Sequence, residues 1–279
     1  MNGKAEDRIS NLPDSLLHHI LSLLPTRLVA RTSILSRRWK YIWTSIPILR
    51  FRYDKDSSDP ISPTFIDYVD GTLHRRCFSD NDIHKFYLRS SHHLNESRVN
   101  TWISNVMSRN VKDFGLVLEQ NDSSCIPQSL FACASLTSLL LRVLRDIDFP
   151  EYISFPRLKH LRLEGIKFSN DCWNEKFFSN CPVLEDLALL HCRFLTSIFC
   201  ISIPTLKTLR IIAQLSIHDC TLKIHAPSLL TLIYTGNVAK EYVFSSLDTL
   251  VEAVCHIPMI YVLRGSPVWV PLVKRVLHT

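Results

Sequence analysis

The residues able to make or break bonds are present in this 279-residue sequence, but they are not spaced for it. His18-His19 and His92-His93 are adjacent pairs, whose side chains diverge on a helix or a strand and so do not converge on one ion. Cysteines stand at 77, 125, 133, 172, 181, 192, 200, 220 and 255, with no CxxC pair and no histidine at zinc spacing. They read as reduced thiols that serve as small buried hydrophobes. There is no GxSxG, GxxxxGK or HExxH, and six glycines are few for loops that cradle a ligand. The expectation is therefore a protein that is not an enzyme and carries no metal and no cofactor. What remains is recognition chemistry, and its most pointed members are Arg142, His160, Arg162, Glu164 and Arg210. These side chains suit ion pairs and hydrogen bonds to another polypeptide, provided that one surface presents them together; the alternative is a solvated strand face.

Charge gives a second pointer. Residues 1 to 52 hold nine Lys/Arg against three Asp/Glu, whereas the remainder is balanced, so the formal charge of +6 belongs to the first fifth of the chain. A basic segment on a neutral body suggests an acidic partner, protein or nucleic acid. Nucleic acid fits less well, because the basic residues are interleaved with apolar ones and form no stripe, and the large body has no net charge. The apolar stretch Leu12 to Leu24 is interrupted by Pro13, Asp14, His18 and His19, which suits neither a signal peptide nor a membrane span. The expected location is the cell interior, in the cytoplasm, the nucleus or both.

The elements that must position the pointed residues are repeats. A Leu-x-x-Leu-x-Leu pattern, with apolar replacements, is anchored at Ile83, Val111, Leu136, Leu158, Leu184, Leu206, Leu229 and Leu247. All steps but the last fall within the roughly 20 to 29 residues expected of leucine-rich repeats, and the last unit reads as short or degenerate. Two residues before four successive anchors stand Pro156, Pro182, Pro204 and Pro227, each of which stops a helix and leads the chain into extended structure. Each unit thus reads as a short strand followed by a variable helical or irregular return, as around Trp173, Phe177 and Phe178. One unit cannot bury its own apolar face, so units must stack into a curved solenoid with a parallel sheet. An ordinary α/β protein with leucine-rich strands is the alternative, and it gives no reason for the aligned prolines.

In such strands the leucines point inward, and positions two, four and six after each anchor point out. That places Lys85, Tyr87 and Arg89, then Asp113, Gly115 and Val117, then Ser138, Leu140 and Arg142, on one face. His160, Arg162 and Glu164, then Asp186, Ala188 and Leu190, and finally Thr208, Arg210 and Ile212 continue it.

The first fifty residues are different. Pro13 and Asp14 open a helix whose Leu16, Leu17, Ile20, Leu21 and Leu24 recur at helical spacing, and Pro25 ends it. Leu28 to Leu35 forms a second short helix, and Ser36 caps a third that places Trp39 and Trp43 on one face. Three helices in about forty residues seldom stand alone, so an exposed Leu/Ile/Trp surface invites a partner. The stretch 51–82 reads as a flexible joint around Asp54 to Pro60 followed by a connecting helix from Phe65 to Leu73.

The N-terminal motifs Asp7-Arg8-Ile9-Ser10, Leu12-Pro13-Asp14, Leu24-Pro25-Thr26, Arg31-Thr32-Ser33 and Leu35-Ser36-Arg37-Arg38-Trp39 resemble the F-box of a large plant family in which leucine-rich repeats follow. Cys181-Pro182-Val183-Leu184-Glu185-Asp186-Leu187 and Phe155-Pro156-Arg157-Leu158 are similar to that family's repeat phrases. The resemblance implies an α+β solenoid protein: an F-box of three helices over 1–50, a linker and connecting helix over 51–82, about eight repeats over 83–253, and a divergent tail over 254–279. It implies the substrate-recognition subunit of a Skp-cullin-F-box ubiquitin ligase. Docking on a Skp-type adaptor would then use Leu12, Pro13, Leu16, Ile20, Leu21, Leu24, Pro25, Leu35, Arg38 and Trp39, with Arg31, Arg37 and Lys40 steering, and a target would lie on the repeats. A scaffold or competitor that binds the adaptor outside any ligase is the alternative. Family members commonly carry more repeats, so a truncated or alternatively spliced form is expected.

Overall fold

The computed structural model describes residues 9–256 apart from 10, 25, 54–62, 78–81, 120–125, 144–146, 148, 169–172, 214–216 and 246. The joint around Asp54 to Pro60 and most of the expected tail lie outside the described residues.

Three short helices come first: α1 (Asp14–Ser22), α2 (Thr26–Arg31), continued by a 3-10 turn over Thr32–Ile34, and α3 (Arg37–Ser45). The Ser36 hydroxyl accepts from the Trp39 amide at 3.4 Å and so satisfies one of the amides that α3 leaves unpaired at its start. Leu17, Leu21, Val29, Trp39, Ile42, Trp43 and Ile46 form a small core of their own. The expected tryptophan-bearing surface is therefore not found: Trp39 and Trp43 are only 4% and 3% exposed. Two large rings contribute more by filling a core this small than by lying in water, and Arg75 covers the Trp43 ring at 5.8 Å from the connecting helix.

Next come β1 (Ile48–Tyr53), α4 (Pro63–Cys77), β2 (Lys85–Ser90), α5 (Glu96–Met107), β3 (Asp113–Leu118), β4 (Ser138–Val143), β5 (His160–Glu164) and β6 (Lys167–Phe168). The chain continues through β7 (Asp186–Phe194), β8 (Ile198–Ser202), β9 (Thr208–Ala213), β10 (Thr221–His225), β11 (Thr231–Gly236), β12 (Glu241–Ser245) and β13 (Glu252–His256). The main sheet runs β1-β2-β3-β4-β5-β7-β9-β11-β13, every pair parallel, the arrangement of a leucine-rich solenoid. β1 enters this sheet earlier than the sequence pattern suggests, because it precedes the first Leu-x-x-Leu anchor.

From β2 to β11 each main strand begins two residues after its anchor, and the anchors Ile83, Val111, Leu136, Leu158, Leu184, Leu206 and Leu229 are at most 1% exposed. The prolines act at the second position of tight turns: the amides of Leu158, Leu184, Leu206 and Leu229 donate to the carbonyls of Phe155, Cys181, Ile203 and Ala226. The same bond from Leu250 to Leu247, together with the pairing of Thr231 with Glu252, makes Leu250 the last anchor and Leu247 the residue that opens its turn. With that correction the last repeat has ordinary length; Asp248 takes the place of the proline, which hid the register.

A hydroxyl just before the anchor ties neighbouring repeats. Ser135, Thr205 and Thr249 donate to the carbonyls of Val111, Leu184 and Leu229 at 2.8, 2.8 and 2.9 Å. On the other side of the core the returns change character along the chain. In the first repeats they are helices α4 and α5, joined where Asp70 accepts from Trp102 Nε1 and Arg98 at 2.5 Å each. After β7 they are strands: β8, β10 and β12 form a second parallel sheet that the sequence reading did not expect. Between the sheets Trp173 packs on Phe168, Phe177 and Phe199 with ring centroids 4.2 to 5.0 Å apart. The Trp173–Phe178 segment makes turns here rather than a helix. Each buried leucine or aromatic of these columns contributes about 1.5–3 kcal/mol, which only stacking makes available.

Candidate functional site

Two surfaces answer to the candidate residues. On the first, helix α1 carries more apolar residues than one buried stripe needs. Leu17 and Leu21 face inward at 0% and 2% exposure, while Leu16, Ile20 and Leu23, about 100° round the helix, are 49%, 44% and 68% exposed. Leu24 and Leu35 are also exposed. Leu23, Leu28 and Ile34, none of them among the expected docking residues, line one open depression with Arg27 and Arg31. The signal for Leu23 was present as the spacing 16, 20, 23; nothing in the sequence distinguishes Ile34 from a core position.

The expected docking residues thus divide. Leu16, Ile20, Leu24 and Leu35 lie on the surface, with Pro13 exposed just before α1 and Leu12 packed against the small core. Leu21 and Trp39 lie inside that core and support the surface from beneath. Arg38 bonds to Asp14 Oδ1 through Nε at 3.0 Å and to the Leu12 carbonyl at 2.6 Å, tying α3 to the start of α1. Pro25 and the Arg37 and Lys40 side chains lie outside the described residues.

The second surface is the outward face of the main sheet. The expected alternation holds on it: His160 and Arg162 are exposed on either side of buried Leu161, and Arg210 is exposed between buried Leu209 and Ile211. Pairing registers bring the positions into rows. One row sets Lys85 beside Asp113 and His160 beside Asp186, and both pairs bond, at 2.9 and 2.6 Å. The next row reads Tyr87, Gly115, Leu140, Arg162, Ala188, Arg210. The third includes Arg142 and Glu164, whose carboxylate lies 3.6 Å from Arg142 and 3.1 Å from Arg162. Of the candidate recognition residues, Arg142, Arg162 and Glu164 thus form one ion-paired group and His160 belongs to a second pair. Arg162, His160 and Arg210 line a shared open depression of about 230 Å³.

One further acid is set between repeats: Glu185 lies 3.0 Å from Lys207 and 3.7 Å from Lys159. The hydrogen bond from Lys207, and then the charges of Lys207 and Lys159, hold its carboxyl below the usual range. Cysteines 133, 181, 192, 200 and 220 are buried, and burial pushes the thiols of Cys181 and Cys220 up to about 11 and that of Cys192 to about 12. Such thiols are unreactive. Among the described residues no cluster of three or more His, Cys, Asp or Glu is placed to hold a metal ion, and no helix is long and apolar enough to cross a membrane.

Comparison with known proteins finds matches for both parts of the chain. Residues 9–51 match the F-box domain, and residues 99–260 match the family described as "FBD-associated F-box protein At5g56370, LRR repeats". The F-box/LRR-repeat protein At4g14103 of Arabidopsis thaliana is 34% identical over 258 residues, covering 89% of this chain and 67% of that protein. Putative F-box protein At1g58310 and F-box/LRR-repeat protein At4g14096 of the same plant are 32% and 33% identical, over 92% and 88% of this chain and 56% and 54% of their own lengths. The chain spans about half to two thirds of the length of these curated relatives. No solved structure gives a significant match. With an F-box at its start, a stacked leucine-rich sheet behind it and relatives that share both, the chain belongs to the plant F-box/leucine-rich-repeat family.

Proposed function

We propose that this chain is the substrate-recognition subunit of a Skp-cullin-F-box ubiquitin ligase. In this reading the N-terminal helices dock on a Skp-type adaptor, the adaptor joins a cullin, and the repeat sheet holds the target while other subunits transfer ubiquitin. In this reading the reacting groups belong to those other subunits. Its place of work would be the cytoplasm or the nucleus.

The observation that carries the proposal is the exposed row Leu16, Ile20, Leu23, Leu28, Ile34 and Leu35 on helices whose own core is already filled by Leu17, Leu21, Trp39 and Trp43. Large apolar side chains left exposed among the described residues, on helices whose core is already filled, suit a partner's apolar surface. The bond of Arg38 to Asp14 ties α3 to the start of α1, and the Arg75 guanidinium over the Trp43 ring links α3 to α4.

The test is reconstitution of the full chain with a Skp-type adaptor, a cullin and the transfer enzymes. The expected result is a stoichiometric complex and ubiquitin on a repeat-bound protein. Failure of the folded chain to bind any Skp-type adaptor would refute the proposal. Adaptor binding without ubiquitin on any partner would replace it with the scaffold or competitor role.

A further inference from the structure

The outward face of the sheet is mostly self-neutralised, and the departure from that rule is local. Lys85 has Asp113, Arg89 has Glu119, and Arg142 and Arg162 share Glu164. Arg210 makes no ion pair among the described residues. Asp186 lines the same depression, but its Oδ2 is bonded to His160 Nδ1 at 2.6 Å.

Register places Arg162 and Arg210 opposite each other across a single strand, with Ala188 between them. Parallel strands lie about 4.8 Å apart, so the two arginine backbones are about 10 Å apart with only a methyl group on the floor. That gap has room for a carboxylate or a phosphate: Arg210 stands on one side with no ion pair among the described residues, and Arg162, which shares Glu164 with Arg142, stands on the other. The other end of the row is apolar. Leu140 adjoins Arg162, and beyond it the Tyr87 ring lies over Gly115, where a Cβ would come within 2.5 Å of Cδ2.

We infer that Arg162 and Arg210 seat one anionic side chain of the target over Ala188, and that an apolar residue of the same target segment lies on Leu140 and Tyr87. The inference rests on the proposed target-binding role and names the chemistry of the target. Leu140 and Ala188 are two strands apart, about 10 Å, and an extended chain advances about 3.3 Å per residue. The recognised segment therefore crosses the strands with its acidic or phosphorylated residue about three positions from its apolar one.

The experiment uses the full chain bound to its adaptor and four immobilised degenerate peptide libraries, with a fixed central phosphoserine, glutamate, serine or lysine. Retention by the phosphoserine or glutamate library should exceed retention by the serine and lysine libraries about tenfold, the effect of about 1.4 kcal/mol. The comparison between those two anionic arms assigns the ligand as phosphate or carboxylate. Arg162→Ala and Arg210→Ala should each remove most of the preference, Arg210→Lys should restore part of it, and Ala188→Glu should abolish it. Selection for an apolar residue three positions away should disappear in Leu140→Ser. Circular dichroism of each variant separates these losses from misfolding. Equal retention on all four libraries, or none, overturns the inference, as does an anionic preference that survives in the double arginine variant. If that happens while the wild-type complex still modifies a repeat-dependent partner, the seat falls and the receptor role stands. Anionic retention by a chain that binds no adaptor gives the converse.

Discussion

Replacing Leu16, Ile20 and Leu23 together by alanine should separate docking from folding. These side chains are 49%, 44% and 68% exposed, so roughly half of their apolar surface is already spent in the fold and half is available to a partner. Full burial of such a side chain contributes about 1.5–3 kcal/mol, which leaves about 0.7–1.5 kcal/mol apiece and about 2–4 kcal/mol for the three. At about 1.4 kcal/mol per factor of ten, adaptor affinity should fall between about 30-fold and 1,000-fold. By the same reckoning the shielded half of each side chain contributes about 0.7–1.5 kcal/mol to the fold, partly offset because alanine is a good helix former, so each single substitution should cost less stability than a core one. Leu17→Ala supplies the contrast. That side chain is fully buried, and its loss should cost about 2–5 kcal/mol of stability in the small N-terminal core. Titration calorimetry of the full chain against a Skp-type adaptor, with denaturant unfolding of each variant, reads both quantities. A triple variant that stays folded and binds within about twofold of the wild type would refute the assignment of these residues as the docking surface. Any one of the three single substitutions that loses as much stability as Leu17→Ala would refute the division of α1 into two stripes.

Two glycines should answer to alanine with different magnitudes. Gly236 has φ +136 and its Cβ would collide with the Ala213 carbonyl, so Gly236→Ala should lower the unfolding free energy by at least about 2 kcal/mol. Gly115→Ala meets only the movable Tyr87 ring, so it should cost less than about 1 kcal/mol in the same denaturant titration while displacing that ring. Iodoacetamide at pH 8 should leave Cys181, Cys192 and Cys220 unmodified in the folded protein; their thiols, raised to about 11 or 12, hold a thiolate fraction lower by a factor on the order of 10²–10³ than in the unfolded chain. Mass spectrometry of the labelled cysteines checks it. Because the folded thiols keep their protons where unfolded ones release them, these same groups should make stability fall as pH rises past about 8.5, the unfolded thiol value. Glu185 acts at the other end of the scale: its carboxyl is held low by Lys207, so its contribution is present above its unfolded value and is lost as pH falls through the folded one. Glu185→Gln should flatten that acid limb in unfolding titrations run from pH 6 to pH 3.

The repeat architecture was legible because its determinants are local and periodic. An anchor and two inward residues recur at each step, a turn proline precedes four successive anchors, and each inward residue of the type Leu161 or Leu209 reads the same in sequence and in space. Where one marker failed, the register slipped: Asp248 in place of a proline moved the last anchor from Leu250 to Leu247. The second sheet was missed for another reason. Phe199 and Ile201, Leu222 and Ile224, Tyr242 and Phe244 do alternate, but runs of only five residues are outweighed by the stronger leucine pattern beside them.

What the sequence by itself determined is the list of surfaces: an apolar N-terminal helical segment and a polar row on a stacked parallel sheet. Only the tertiary structure decided which members of each list face out. Leu16 and Leu17 are neighbours of one chemical type, and Trp39 looks like an anchor for a partner, yet Leu17 and Trp39 fill the core while Leu16 remains in water. Likewise Arg162 and Arg210 stand 48 positions apart, and strand register alone sets them on either side of Ala188. The physical reason is that hydrophobicity and charge are properties of a residue, whereas burial and pairing are properties of the neighbours that folding brings to it.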